Sequence, residues 1–308
     1  MKVLINNGFI KEPVAATIGM FDGVHKGHRY ILSHLKAQAN KRNLKTAVIT
    51  FSRHPQSVLH GYAEESLMTL DDRISAIGES GIDYVVVMDF TKELSLLTAQ
   101  QFLQLLYKRY YVKLLITGYD HRFGHNRKET YNDYVKYGKE IGMDVVKCDE
   151  YTTGNEKISS SEIRRLITEG NVKTAAEMLQ RPYKISGEVV DGFRNGRKIG
   201  FPTANIKTDR NIIIPSNGVY AVTVNLNDGD IKKGMLNIGI RPTFDNGKNR
   251  SVEVNIFDFS EKIYGKQIEI MFYDRIRNER KMQSLEELEK QLENDRITAK
   301  EILKNYQL

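Results

Sequence analysis

The sequence predicts an α/β chain built in two parts: a parallel-sheet domain over residues 1–180, then an all-β barrel with a C-terminal helix over residues 181–308. Three observations predict it. Through the first part, short β-branched runs alternate with amphipathic helical stretches, the signature of a parallel sheet with crossover helices. After Arg181-Pro182 the helices stop and short strands follow one another through Gly/Asn/Asp turns, an all-β pattern that closes most readily as a barrel. The chain has 308 residues, enough for two domains of about 100–200 residues, each able to bury its own core.

In order along the chain, Val14–Met20 is an apolar run read as a strand, followed by a Gly-rich turn at Gly19–Gly23 and a helical pattern from Gly27 to Lys41. Thr46–Phe51 is a second β-branched run, and Asp83–Met88, Leu114–Thr117 and Asp144–Lys147 supply further strands. Helical stripes fit between them at Leu70–Glu79, Ala99–Tyr110 and Tyr131–Ile141. This is a Rossmann-like order, and such sheets bind ligands at the carboxyl ends of their strands. In the second part, Ile185–Val190, Gly218–Leu226, Lys233–Ile238, Ser251–Asp258 and Gln267–Tyr273 read as strands. The last segment, Ser284–Tyr306, reads as a helix opened by an S-x-x-E capping box of Ser284 and Glu287. Leu285, Leu288, Leu292, Ala299, Ile302 and Leu303 form a stripe expected to dock on the barrel.

Composition narrows the class. Hydrophobic residues make up 40% and charged residues 28%, an ordinary globular balance. No apolar run approaches the roughly 20 residues of a membrane span, and the first ten residues lack a signal-peptide core. A single cysteine, Cys148, allows neither an intrachain disulfide nor a cysteine metal cluster, so a reducing cytoplasm is expected. The net charge of +7 is spread evenly: Lys+Arg exceed Asp+Glu by 24 to 21 over residues 1–180 and by 22 to 18 beyond. A nucleic-acid-binding domain concentrates such charge, so no nucleic-acid partner is expected, whereas nucleotides suit it. No membrane partner is expected, and oligomeric state is not legible.

Three segments carry the first candidate site. Gly19-Met20-Phe21-Asp22-Gly23-Val24-His25-Lys26-Gly27-His28 lies at a strand-to-helix turn. There, backbone N–H groups and the helix dipole favour an anion and glycines permit close approach. His25 and His28, three apart, could hydrogen-bond phosphate oxygens as charge develops. The plain alternative is a turn with two surface histidines. Ser159-Ser160-Ser161-Glu162-Ile163-Arg164 opens a helix, where Ser159 and Glu162 match a capping box while Ser160, Ser161 and Arg164 suit a triphosphate. Gly118-Tyr119-Asp120-His121-Arg122-Phe123-Gly124 follows a strand, where the alternative is a polar surface loop.

The second candidate site opens the barrel. Gly192-Phe193-Arg194-Asn195-Gly196-Arg197-Lys198-Ile199-Gly200 suggests a phosphate-covering loop, with Gly192, Arg197 and Gly200 as its contacts. It lacks the G-x-x-x-x-G-K-[ST] pattern, so it is no standard P-loop. Thr203 and Asn205 offer two hard oxygen ligands suited to Mg²⁺ held with substrate phosphates, or else form a plain Asn turn. In Val252-Glu253-Val254-Asn255-Ile256, alternation puts Glu253 and Asn255 on one face. Glu253 is then either part of a solvated outer face or a general base for a substrate hydroxyl.

Taken together, the first three segments resemble the nucleotidylyltransferase half of bacterial FAD synthetase, with its G-x-F-D-G-V-H-x-G-H turn, G-x-D-F-x-F-G loop and S-S-T-x-I-R segment. Thr50-Phe51-Ser52-Arg53-His54-Pro55 and Leu70-Asp71-Asp72-Arg73 are similar to further landmarks of that family. The chain departs from it at His121, where the family has Phe, and at Ser161, where it has Thr. Gly192–Asn205, Pro215–Tyr220, Asn237–Thr243, Val252–Phe259 and Ile276-Arg277 resemble riboflavin kinase in order and spacing. The order matches the bifunctional bacterial riboflavin kinase/FMN adenylyltransferase family across nearly the whole chain.

The resemblance implies that riboflavin is phosphorylated to FMN, and FMN adenylylated to FAD, with ATP as co-substrate of both steps and Mg²⁺ as cofactor. It implies His25 and His28 as transition-state stabilisers, with Gly19, Phe21, Asp22, Gly23, Asp120, Ser160, Ser161 and Arg164 around the nucleotide phosphates. It implies Glu253 as the kinase base, Thr203 and Asn205 as metal ligands, and Arg277 and Asn255 against the flavin. Two alternatives compete. H-x-G-H turns also resemble cytidylyltransferases and some aminoacyl-tRNA synthetases, but a synthetase needs a tRNA module that the balanced charge of residues 181–308 does not supply. A non-enzymatic nucleotide- or RNA-binding protein with the same fold is opposed by the intact His25, His28, Thr203, Asn205 and Glu253.

Overall fold

A computed structural model describes residues 1–6, 8–61, 65–125, 127–152, 158–192, 196, 199–226, 229–240 and 250–306. Two compact units divide the chain, Met1–Ser160 and Ser161–Leu308.

The first unit is a six-stranded parallel sheet in the order β1-β4-β3-β2-β5-β6. Its strands are β1 (Lys2–Ile5), β2 (Val14–Ile18), β3 (Lys45–Phe51), β4 (Tyr84–Met88), β5 (Val112–Thr117) and β6 (Asp144–Lys147). Its helices are α1 (Lys26–Asn40), α2 (Pro55–His60), α3 (Leu70–Gly78), α4 (Lys92–Ser95), α5 (Ala99–Tyr110) and α6 (Tyr131–Glu140). β2 and β4 are buried at every residue, as expected for parallel strands covered on both faces. Alternate residues feed two cores. Ala16, Ile49, Val86 and Leu115 join Phe102, Leu106 and Tyr110 of α5 on one face. Ala15, Val48, Val85 and Leu114 join Leu32 and Leu35 of α1 and Ile77 of α3 on the other. Cys148, a free thiol, is buried in this second core.

The strand order places the site. Sequence neighbours β2, β3 and β4 run to one side of β2, whereas β5 and β6 lie on the other. β2 and β5 are thus adjacent strands whose connections leave in opposite directions, the switch point at which open α/β sheets bind ligands. The Gly19 turn follows β2 and the Gly118 loop follows β5. β1 is absent from the sequence reading because it is a four-residue edge strand, mostly exposed and without alternation.

The second unit carries α7 (Ser160–Glu169, beginning at the division) and α8 (Val172–Leu179), then β7 (Tyr183–Val190), β8 (Ala204–Thr208), β9 (Gly218–Asn225), β10 (Ile231–Ile240), β11 (Arg250–Ile256) and β12 (Gln267–Arg277). The strands close an antiparallel barrel in the order β10-β11-β8-β7-β12-β9. The expected strands number one fewer. The sixth, β8, emerges from a segment read as a loop, because only pairing with β7 and β11 makes Ala204–Thr208 extended. The final helix, α9 (Leu285–Lys304), starts as expected: Ser284 Oγ accepts the Glu287 N–H at 3.1 Å. The reciprocal half of the capping box is displaced by one residue, since the Glu287 carboxylate accepts from Gln283 N rather than Ser284 N. Ala299 and Leu303 are buried against Val219, Ala221, Met235 and Phe257, with Leu292 and Ile302 at the margin. Leu285, counted in the same stripe, is 68% exposed because it sits at the end of the helix away from that contact. Among the described residues, no helix is long and apolar enough to cross a membrane.

Candidate active sites

In the first unit the turn after β2 is a strained cradle. Phe21 (φ 52°), Gly23 (φ 83°) and Val24 (φ 39°) all lie in the left-handed region, which costs energy at the two non-glycine residues. Packing holds them there: the Phe21 and Val24 side chains are buried in the α1-side core. Gly19 N–H donates to Ile49 O at 3.0 Å. Met20 O receives both Thr50 Oγ1 at 3.1 Å and Arg73 Nη1 at 2.8 Å, while Arg73 Nη2 donates to Phe51 O at 2.9 Å. Both Asp22 carboxylate oxygens accept from Leu67 N, and Asp22 O accepts Ser160 Oγ at 2.9 Å. Ser160 therefore meets the turn directly, and Ser161 and Arg164 begin the second unit along α7. Arg73 is only 5% exposed; sequence gave it as a landmark and held no sign that it would clamp the ends of two strands.

His25 is the N-cap of α1, and its Nδ1 accepts from His28 N at 3.4 Å. The two imidazoles stack with centroids 3.7 Å apart and 19° between planes, and Phe21 lies 5.0 Å from the His28 ring. Burial above all, then the neighbouring His25 and Arg73, holds the His28 pKa well below the usual imidazole range. His28 Nδ1 is buried without a hydrogen-bond partner among the described residues. Such a pair can gain protons and hydrogen bonds when a polyanion arrives at the helix N-terminus.

Beside the turn opens a cavity of about 630 Å³, lined by Gly19, Asp120 and His121 from the two loops and by Phe51, Phe90, Leu94, Leu97, Phe102 and Phe123. Phe51 and Phe90 meet edge to face at 5.4 Å, and Phe123 stacks on Tyr134 at 4.1 Å. These aromatic walls escape sequence reasoning, because an apolar residue lining a cavity and one filling a core look alike until the helices are packed. A smaller cavity of about 210 Å³ is lined by the same loop and shares Asp120, His121 and Arg122 with the larger one.

In the second unit, Glu253 and Asn205 are register partners across β11 and β8, and Glu253 and Asn237 across β10 and β11. Cross-strand partners share a face, so Asn205, Glu253 and Asn237 form one row. That row lies on the outer face, whose neighbouring positions Val219, Ala221 and Met235 are covered by α9, and Asn205 and Asn255 are buried. The face is thus not a uniformly solvated one. Asn255 Nδ2 donates to Pro202 O at 2.7 Å, tying the strand before Thr203 to β11. Gly192 approaches so closely that an added Cβ would stand 1.9 Å from Asn205 Nδ2. Gly200 has φ 75° and faces open space. Arg197, with Arg194, Lys198 and Arg241-Pro242-Thr243, lies outside the described residues. Arg277 is fastened to α9: its guanidinium donates to both oxygens of Asp295 at 2.8–3.0 Å, and Gln291 Nε2 also donates to that carboxylate at 2.7 Å.

Mg²⁺ can be tested against this donor set. Among the described residues no group of three or more His, Cys, Asp or Glu could hold a metal ion. A hydroxyl, an amide oxygen and one carboxylate are hard donors too few to hold Mg²⁺ alone, but they fit an ion that arrives with ATP phosphates. Gly192, lacking a side chain, lets the Asn205 amide lie against its backbone, a place any Cβ would take from it.

Comparison with known proteins places two family models along the chain: FAD synthetase over residues 9–162 and riboflavin kinase over residues 179–303. The chain is 38% identical over 299 residues to a bifunctional riboflavin kinase/FMN adenylyltransferase of Haemophilus influenzae, covering 96% of each. It is 38% identical over 280 residues to the protein of the same name from Listeria monocytogenes, covering 90% of this chain and 88% of the relative. A crystal structure described as a macrolide-efflux protein from Streptococcus pneumoniae matches with a TM-score of 0.88 at 30% identity, over 100% of both chains.

Proposed function

The chain belongs to the bifunctional riboflavin kinase/FMN adenylyltransferase family, and from that membership we propose how its two parts divide the work. The reactions run from riboflavin to FMN and from FMN to FAD, with ATP as substrate of each. Adenylyl transfer belongs to residues 1–180 and phosphorylation to residues 181–308.

In the first part, FMN seats its ring in the aromatic cavity with its phosphate toward the Gly19–His28 turn. An FMN phosphate oxygen attacks the α-phosphorus of ATP, the new P–O bond forms, and the bond to the β-phosphate breaks to release pyrophosphate. His25 and His28 hydrogen-bond the charge that develops, at a helix N-terminus that already favours it. Gly19, Phe21, Asp22 and Gly23 shape the cradle. Ser160, Ser161 and Arg164 hold the nucleotide phosphates, and Asp120 stands where nucleotide and flavin phosphate meet. The observation that carries this reading is the juxtaposition, at adjacent strands β2 and β5, of an anion-binding turn and an apolar cavity sized for a tricyclic ring.

In the second part, Glu253 takes the proton from the terminal ribityl hydroxyl of riboflavin while that oxygen attacks the γ-phosphorus of ATP and ADP leaves. Thr203 and Asn205 hold Mg²⁺, which supplies charge neutralisation on the phosphates when bound. Gly192, Arg197 and Gly200 cover the phosphates, and Asn255 and Arg277 bound the flavin side. A cytoplasmic setting, without nucleic-acid partners, accords with the buried free thiol of Cys148 and the evenly spread charge.

The test is direct. Full-length protein given riboflavin, ATP and Mg²⁺ yields FMN and then FAD by chromatography. Glu253→Gln lowers FMN formation by about 10²–10⁴-fold, the usual worth of a general base, while FMN-to-FAD conversion persists. His28→Ala does the reverse. Loss of both activities in a folded Glu253→Gln protein would refute independent sites.

A further inference from the structure

His121 has no part in the chemistry above, yet it stands in the wall of the aromatic cavity. The Gly118 turn presents it: a Cβ on Gly118 would lie 3.5 Å from His121 Cβ. Its ring lies 6.0 Å from that of Phe123, tilted by 39°. Phe123 is fixed in turn, stacked on Tyr134 and hydrogen-bonded to the Tyr134 hydroxyl through both its N–H and its C=O. His121 Nδ1 is buried without a hydrogen-bond partner among the described residues. The other ring nitrogen, Nε2, is not among the buried atoms without a partner, and His121 lines both this cavity and the smaller one.

The protonation state follows from the surroundings. Burial lowers the His121 pKa, Asp120 opposes that and Arg127 adds to it, leaving it at about 4. The ring is therefore neutral near pH 7 and carries one N–H. An orphaned buried N–H is less tolerated than an orphaned acceptor. The proton thus sits on Nε2, and the His121 ring offers one neutral donor beside Phe123, in a lining that also holds His54, Gln56, Arg122, His125 and Arg127.

A flavin ring is apolar at its dimethylbenzene end and carries two carbonyl acceptors at its pyrimidine end. We propose that His121 Nε2–H donates a hydrogen bond to a pyrimidine-ring carbonyl of FMN in this cavity, making His121 a specificity-determining residue for adenylyl transfer. The proposal rests on the reading that FMN occupies the cavity of the first unit. It gives the Phe51–Phe90–Phe123 side of the cavity a means of orienting the ring that aromatic packing alone lacks, since stacking accepts a flat ring in either sense.

The experiment uses the full chain and measures adenylyl transfer with FMN and with FMN analogues whose 2- or 4-carbonyl is a thiocarbonyl, a weaker acceptor. One neutral hydrogen bond corresponds to about 3–10-fold in affinity. Wild-type protein should discriminate against one of the two analogues by about that factor in KM. In His121→Phe the KM for FMN should rise by a similar factor, with kcat and the KM for ATP unchanged, and discrimination should vanish. His121→Gln, which keeps a donor, should retain part of it. Equal discrimination in wild type and His121→Phe overturns the proposal, as does a change confined to the KM for ATP. Leu97→Arg, which fills the cavity, separates the two levels of inference: an unaltered KM for FMN in that variant overturns the seating of FMN itself.

Discussion

At the residue scale, the first site is a set of groups kept from their usual ionisation. His28 and His121 both have pKa values lowered chiefly by burial. The unfolded chain therefore binds more protons than the folded one below the ordinary value of 6.5, down to about 4 for His121. Their contribution to stability is complete above pH 6.5 and is lost as pH falls through that window. We expect the urea midpoint of unfolding to drop between pH 6.5 and pH 4, and to drop less steeply in His121→Phe. Equal slopes for the two proteins would show that the His121 ring is freely protonated in the folded state.

At the scale of elements, the barrel depends on how α9 is fastened. Ala299 and Leu303 supply the apolar contact, and Arg277 to Asp295 supplies an ion pair whose carboxylate is 1% exposed. Removing one partner of a buried pair strands the other, at a cost of about 3–5 kcal/mol. Arg277→Met should therefore destabilise the barrel by about 3 kcal/mol in urea denaturation, with Gln291 as the residual partner of Asp295. Because α9 covers positions beside the Asn237–Glu253–Asn205 row, the kinase step should weaken in that variant before the adenylyl step does. A fully stable Arg277→Met protein would show that the apolar contact alone seats the helix.

At the scale of the whole molecule, the two ATP-dependent steps share one intermediate: FMN is the product of one and the substrate of the other. If FMN is released into solution between steps, a mixture of Glu253→Gln and His28→Ala proteins should make FAD from riboflavin. His28→Ala alone should accumulate FMN, and Glu253→Gln alone should make neither product. Failure of the mixture, with each variant retaining its remaining activity, would show that FMN passes within one chain.

The sequence by itself determined the two-part architecture, because hydrophobic periodicity changes from alternating strands and helices to strands alone at Arg181-Pro182. It also marked His25, His28, Thr203, Asn205 and Glu253 as candidates, through the local spacing of their motifs. Tertiary structure alone decided the rest. β8 is a strand only because β7 and β11 pair with it. The aromatic cavity exists only where α5 and the two loops leave Phe51, Phe90 and Phe123 unfilled space. Arg73 is a clamp only because folding carries its guanidinium to the carbonyls of Met20 and Phe51. Each of these depends on groups far apart in the chain being brought within van der Waals or hydrogen-bond range, and one-dimensional periodicity carries no record of such distances.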